Sequence, residues 1–208
     1  EGYTSGVGNV VGSHKQYIAY AITLTQDRAM PPSEQSLRVA IISDTHGVID
    51  DNIINIVKSC DKVIHAGDIC GAHVLEQLQA ICGDVVAVAG NNDAPGLWPV
   101  EQTHVVQQLP AQTEIDLPGG KIAIEHGHRH GMHTPDHASL RHSHQNARVI
   151  VYGHTHSMVV DDSEQPWVVN PGAAGHTRTR GGPSCLVLTI DDHDWDIKTN
   201  RFELEDVA

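Results

Sequence analysis

The apolar positions of this chain fall into short runs divided by polar turns, and the spacing inside the runs alternates between two periods. "LRVAIIS", from Leu37, is dense in branched apolar residues, as expected of a strand buried on both faces. After "DTHG", the stretch "IDDNIINIVKSC" places Ile53, Ile54 and Val57 at helical spacing. "KVIHAGD" repeats the strand pattern, "AHVLEQLQAI" the helical one, and "DVVAVAGNND" is a third strand ending in a polar loop. Strand, helix, strand, helix, strand predicts a parallel sheet with right-handed crossovers.

Past a linker around Pro95 and Pro99 the runs shorten. "HVVQQL", "TEIDL" and "KIAIEHG" read as strands, and "PGG" between the last two predicts a hairpin turn. "PDHASLRHSHQN" reads as a helix leading into "ARVIVYGHTH", and "SMVVDD", "PWVVNPG", "SCLVLTID" and "DWDIKTN" as strands, the final pair a hairpin. The expectation is one α/β domain over residues 37–208, a parallel half followed by a more antiparallel half. Residues 1–36, rich in Gly, Ser and Gln, read as an N-terminal extension without assigned role, a tag remnant or a misassigned start. Its apolar stretch at 17–25 predicts a single strand or helix.

Composition narrows the function. At 208 residues the chain supports a sizeable core, but aromatics are only 4%, so small aliphatic residues must build it. A formal net charge of −13 argues against a broad nucleic-acid surface or an anionic membrane, since both repel an acidic protein. It leaves open a phosphate held at one point where bound cations reverse the local sign. Cys60, Cys70, Cys82 and Cys185 form no CxxC pair and read as reduced thiols of a cytoplasmic protein. No apolar run approaches the roughly 20 residues that span a bilayer. Sixteen histidines are the outlier.

Five apolar runs end in the same kind of polar signature. They end in Asp44-Thr45-His46, in Asp68, in Asn91-Asn92-Asp93, in His126 and in His154-Thr155-His156. Sites of open α/β sheets lie outside the carboxyl ends of strands, so the five ends converge if the strands share a sheet. Carboxylate, imidazole and amide oxygen without thiolate suit borderline-to-hard divalent ions such as Mn²⁺, Fe²⁺ or Zn²⁺. Seven ligands exceed what one catalytic ion with open positions takes, and suit two ions about 3.5–4 Å apart with one bridging aspartate. Singly, each motif has a plainer reading, as a turn, a helix cap or a loop. Their conjunction, in order and each at a strand end, favours the metal site.

The ordered blocks Asp44-Thr45-His46, Gly67-Asp68, Gly90-Asn91-Asn92-Asp93, His126-Gly127 and Gly153-His154-Thr155-His156 resemble the signature of the calcineurin-like metallophosphoesterases. Compact spacing, "HGH" and "NPGAAG" look most like the small YfcE-like phosphodiesterases, over about residues 37–200. The resemblance implies a four-layer αββα sandwich with mixed sheets. It implies Asp44, His46, Asp68 and His156 on one metal, and Asp68, Asn91, His126 and His154 on the other. Manganese is the favoured ion, with Fe²⁺, Zn²⁺ and Ni²⁺ as alternatives. A hydroxide bridging the ions would attack a small phosphodiester substrate. Asn91 would also donate to the phosphate, and Asp93 would orient a ligand histidine.

One position departs from the pattern. Many members of the wider superfamily carry histidine at the third place of G-N-x-D as leaving-group acid. Here it is Asn92, whose amide cannot serve as an acid. This predicts a bias toward esters with good leaving groups. The segment "HGHRHGMHTPDHASLRHSHQ" holds seven histidines and reads as a solvated surface, with a metal-loading patch or a substrate-facing cap as alternatives. His128 is its best candidate for a catalytic role. Arg178 and Arg180 are either phosphate contacts or part of a surface loop. Rival functions are a phosphomonoesterase or a protein or nucleotide phosphatase on the same site, a non-catalytic scaffold of the retromer-subunit type, and histidine-rich metal storage. A homo-oligomer is compatible with the sequence.

Overall fold

In the computed structural model, residues 36–131 and 133–203 are described; the stretch 17–25 lies outside them. The first strand, β1 (Leu37–Ile42), pairs in parallel with β2 (Lys62–His65), and β2 with β3 (Val85–Ala87). Helices α1 (Asp51–Val57) and α2 (Ala72–Cys82) make the crossovers. Asp50 caps α1, accepting from Asn52 N, and Gly83 ends α2 in the left-handed conformation at φ 81°. β1 is buried on both faces: Val39 and Ile41 enter the core between the sheets, while Ala40 and Ile42 pack with Ile53, Val57, Leu75 and Leu78 under the helices.

The split into a parallel half and an antiparallel half needs correction. β9 (Ser184–Asp191) returns to the first sheet beside β1 and carries the β10 hairpin (Asp194–Arg201), giving the order β10-β9-β1-β2-β3. The second sheet has its own parallel centre. There β5 (Gly120–Glu125), β6 (Val149–Val151) and β8 (Trp167–Pro171) run together, flanked by antiparallel β4 (Gln112–Leu117) and β7 (Met158–Asp161). Ile122, Ile124, Val149, Val151 and Val169 face Ile41, Ile64 and Leu188 across the sandwich. On the far side, Leu140 of α4 (His137–Ser143) packs on Ala123, Ile150 and Val168. Helix, sheet, sheet, helix is the expected four-layer order.

A second correction concerns "HVVQQL", which is not a strand. Thr103–Val106 forms a short helix, α3. Val105, Val106 and Leu109 are buried together beneath it while Gln107 and Gln108 are exposed. That i, i+1, i+4 spacing is helical, and a run this short hid it. Among the described residues no helix is long and apolar enough to cross a membrane.

Candidate metal centre

The five signatures lie on two sheets, not one, yet they still meet. β1, β2 and β3 are parallel, as are β5 and β6, and the loops after their carboxyl ends interlock across the sandwich. His154 N donates to Asp44 Oδ2 at 3.0 Å, Gly153 N to His126 O at 3.2 Å, and His126 Nδ1 to Ala66 O at 2.7 Å. A Cβ on Gly153 would meet Ser43 Oγ, Asp44 Oδ2 and Ala66 O, so only glycine allows this approach.

Backbone conformation marks the same residues. Asp44, His46, Asp68, His154 and His156 all adopt left-handed φ, between 46° and 70°. Such conformations cost about 1–3 kcal/mol each and persist where the surroundings over-determine them. Here they turn the side chains inward.

Donor atoms of Asp44, His46, Asp68 and His156 all lie within 4.8 Å of one another. His156 Nε2 is 3.4 Å from Asp44 Oδ1, and His46 Nε2 is 3.7 Å from Asp68 Oδ2. Two ligands bonded to one ion at about 2.0–2.2 Å stand at most roughly 4.4 Å apart, which these two pairs satisfy. On the other side, His126 Nε2 stands 3.3 Å from Asp68 Oδ1. Asp68 thus turns one carboxylate oxygen to each side. Asn91 and His154 are more loosely placed: His154 Nδ1 donates to Asn91 Oδ1 at 2.9 Å, and the His154 ring lies edge-on to His126 at 5.3 Å.

The electrostatics call for a cation. Burial pushes Asp44 up to about 7, against the pull of the His126 charge, and the nearby Asp68 carboxylate adds to the rise. Burial works against ionised Asp68 too. The hydrogen bond and charge of His126 and two donors from Asn92 outweigh it and hold the carboxyl well below the usual range. His126 is raised to about 9: burial opposes this, but Asp68 and Asp44 prevail. His156 falls to about 4, mainly through burial. His126 and His156 each commit Nδ1–H to a backbone carbonyl, of Ala66 and Thr177, so that in the neutral ring Nε2 is the lone-pair donor; for His126 this means giving up the proton that the carboxylates favour. Asp44 Oδ1 is buried without a hydrogen-bond partner, and His126 Nε2 faces only the carboxylates of Asp68 and Asp44, at 3.3 and 3.9 Å. Two buried carboxylates, imidazole nitrogens aimed at them and an orphaned carboxylate oxygen fit divalent cations.

Other expected residues fall elsewhere. Asp93 does not orient a histidine through a hydrogen bond. Its carboxylate accepts from Ile69 N, Cys70 N, Gly90 N and the Trp98 indole, which pins the turns on both sides of Asp68. Asn92 donates from N to Asp68 Oδ1 at 2.8 Å and from Nδ2 to Asp68 Oδ2 at 2.7 Å, so the departure from histidine fixes that carboxylate. His128 borders the site, 5.6 Å from the His126 ring and 6.1 Å from the His154 ring. The rest of the histidine-rich segment is not uniformly solvated. His130 and His144 converge on buried Glu125 at 2.7 and 3.5 Å, and His137 bridges Asp161 and Tyr152.

Two supporting residues escaped the sequence reading. His65 accepts from Gly67 N and donates to Thr45 Oγ1, which in turn donates to Ile69 O. This buried chain ties the loops after β1 and β2 together, and burial drives the His65 pKa down to about 3, so the ring stays neutral. Asn170 donates to Gly153 O and Thr155 Oγ1 while accepting from Gly172 N, which clamps the "GHTH" turn. His65 lies inside an apolar strand run with no local pattern to distinguish it from core, and Asn170 opens "NPGAAG", whose resemblance gave it no role.

Comparison with known proteins agrees with this geometry. The chain is 27% identical over 150 residues to a phosphodiesterase of Methanocaldococcus jannaschii, covering 65% of this chain and 83% of that protein. It is 24% identical over 168 residues to a probable metallophosphoesterase of Methanothermobacter thermautotrophicus, covering 78% and 91%. Among solved structures, Vps29 of Entamoeba histolytica complexed with Zn²⁺ shares the fold at TM-score 0.65 and 20% identity, covering 80% of this chain and 98% of that one. The model of the calcineurin-like phosphoesterase superfamily domain matches residues 37–193. With motif order, fold and profile in agreement, the chain belongs to the calcineurin-like phosphoesterase superfamily.

Proposed function

We propose that the protein is a phosphodiesterase that works with two divalent ions, Mn²⁺ foremost, on a small phosphate ester. The observation that carries this reading is the Asp68 carboxylate, buried between His46 on its Oδ2 side and His126 on its Oδ1 side. Asp44, His46, Asp68 and His156 would hold one ion; Asp68, Asn91, His126 and His154 would hold the other. Bound ions would supply Lewis acidity and lower the pKa of water, which bulk solvent cannot do near neutrality.

The chain's own contribution is placement. Asn92 aims the carboxylate of Asp68, Asp93 fixes the turns around it, and carbonyls of Ala66 and Thr177 set the tautomers of His126 and His156. Such outer partners typically contribute 10–100-fold to metal affinity or activity. The relative named as a phosphodiesterase supports diester substrates. The Vps29 likeness, at 20% identity, speaks to fold alone, and the filled set of donors favours catalysis over a scaffold role.

The test is to strip the protein of metal, add Mn²⁺ and follow hydrolysis of an aryl phosphodiester. Turnover that appears with Mn²⁺ and disappears with chelator is expected. Absence of turnover under every divalent metal would favour the scaffold.

A further inference from the structure

One cation of the protein itself already reaches into the proposed site. Arg178 Nη2 lies 3.4 Å from His46 Nε2 and 3.5 Å from His156 Nε2, and those two nitrogens are only 3.2 Å apart. Arg178 is exposed, on a segment whose flanking residues are tied to the site and to α1. His176 Nε2 contacts Asp50 Oδ2 at 3.0 Å, Thr177 O accepts from His156 Nδ1, and Arg180 N donates to His156 O. These contacts strap the segment on both sides of Arg178, whose backbone is itself left-handed at φ 54°.

We propose that Arg178 and a divalent ion compete for the Nε2 atoms of His46 and His156, so that Arg178 sets the metal affinity of the His46–His156 side. The inference rests on the dinuclear reading above. His156 commits Nδ1–H to Thr177 O, so its Nε2 lone pair receives either the guanidinium or an ion, not both. Arginine stays charged at all relevant pH, so it also repels an approaching cation until it swings aside. Still strapped to the rim afterwards, its planar fork would face an incoming phosphate.

Mn²⁺ titration of the metal-stripped full chain by calorimetry tests this, comparing wild type with Arg178→Gln and Arg178→Lys. Competition between two linked ligands typically changes affinity 5–150-fold, so Arg178→Gln is expected to bind one Mn²⁺ about tenfold tighter. The second Mn²⁺ should be unchanged. Arg178→Lys keeps the charge but loses the fork, and should fall between the two. Equal affinities in wild type and Arg178→Gln, or weaker binding in Arg178→Gln, would overturn the proposal while leaving the dinuclear reading intact. If neither protein binds Mn²⁺, the dinuclear reading itself falls, and this inference with it.

Discussion

Asp68→Ala is expected to empty both ion positions together and to lower kcat by roughly a thousandfold or more. Asp68 presents Oδ2 toward His46 and Oδ1 toward His126, so removing it takes a donor from each side at once. Loss of about 4 kcal/mol of charge stabilisation corresponds to roughly a thousandfold in rate. Alanine at φ 55° is strained where aspartate is tolerated, so Asp68→Asn serves as the second variant. It keeps the size of the side chain and tolerates this backbone, while removing the charge and turning one of the two accepting oxygens into a donor. Metal analysis after dialysis reads the result directly. His128→Ala, by contrast, should keep its metal, because His128 stands beside the donor cluster instead of in it. Equal loss in both variants would mean that the ligand assignment is wrong.

A preference for aryl over alkyl phosphodiesters is the second large expected effect. General acid catalysis is typically worth about 10²–10⁴-fold, and its value is greatest where the leaving group is poor. The third place of G-N-x-D carries Asn92, whose backbone N and side-chain Nδ2 both donate to Asp68. An amide so held neither gives up a proton nor moves toward a leaving oxygen. Aryl oxides depart without protonation; alkoxides do not. Under saturating Mn²⁺, alkyl diesters should therefore be hydrolysed at least about a hundredfold more slowly than aryl ones. Comparable rates would contradict this and point to His128, whose ring borders His126 and His154, as the acid.

Much of this arrangement was legible in the sequence because its chemistry sits at strand ends. A β-branched run followed by Asp, His or Asn marks both where the strand stops and where its loop points. What the linear pattern did not carry was which strands share a sheet. Antiparallel return of β9 to β1, with Ala40 facing Val187, is set by burial of both faces of β1, which no local spacing reports. The supporting residues were hidden for a related reason. His65 occupies a strand position that reads as core, Asn170 a motif that gave it no role, and only the folded contacts reveal that their polar atoms brace the loops. Asp93 shows the converse, a residue visible in a motif whose partners proved to be backbone amides and an indole.

The central claim is that Asp68 is shared between two cations. Anomalous diffraction from crystals of the full chain soaked in Mn²⁺ tests it most directly. The expected map holds two peaks about 3.5–4 Å apart on either side of that carboxylate, one toward His46 and His156 and the other toward His126 and His154. A single peak, or none, would contradict the account.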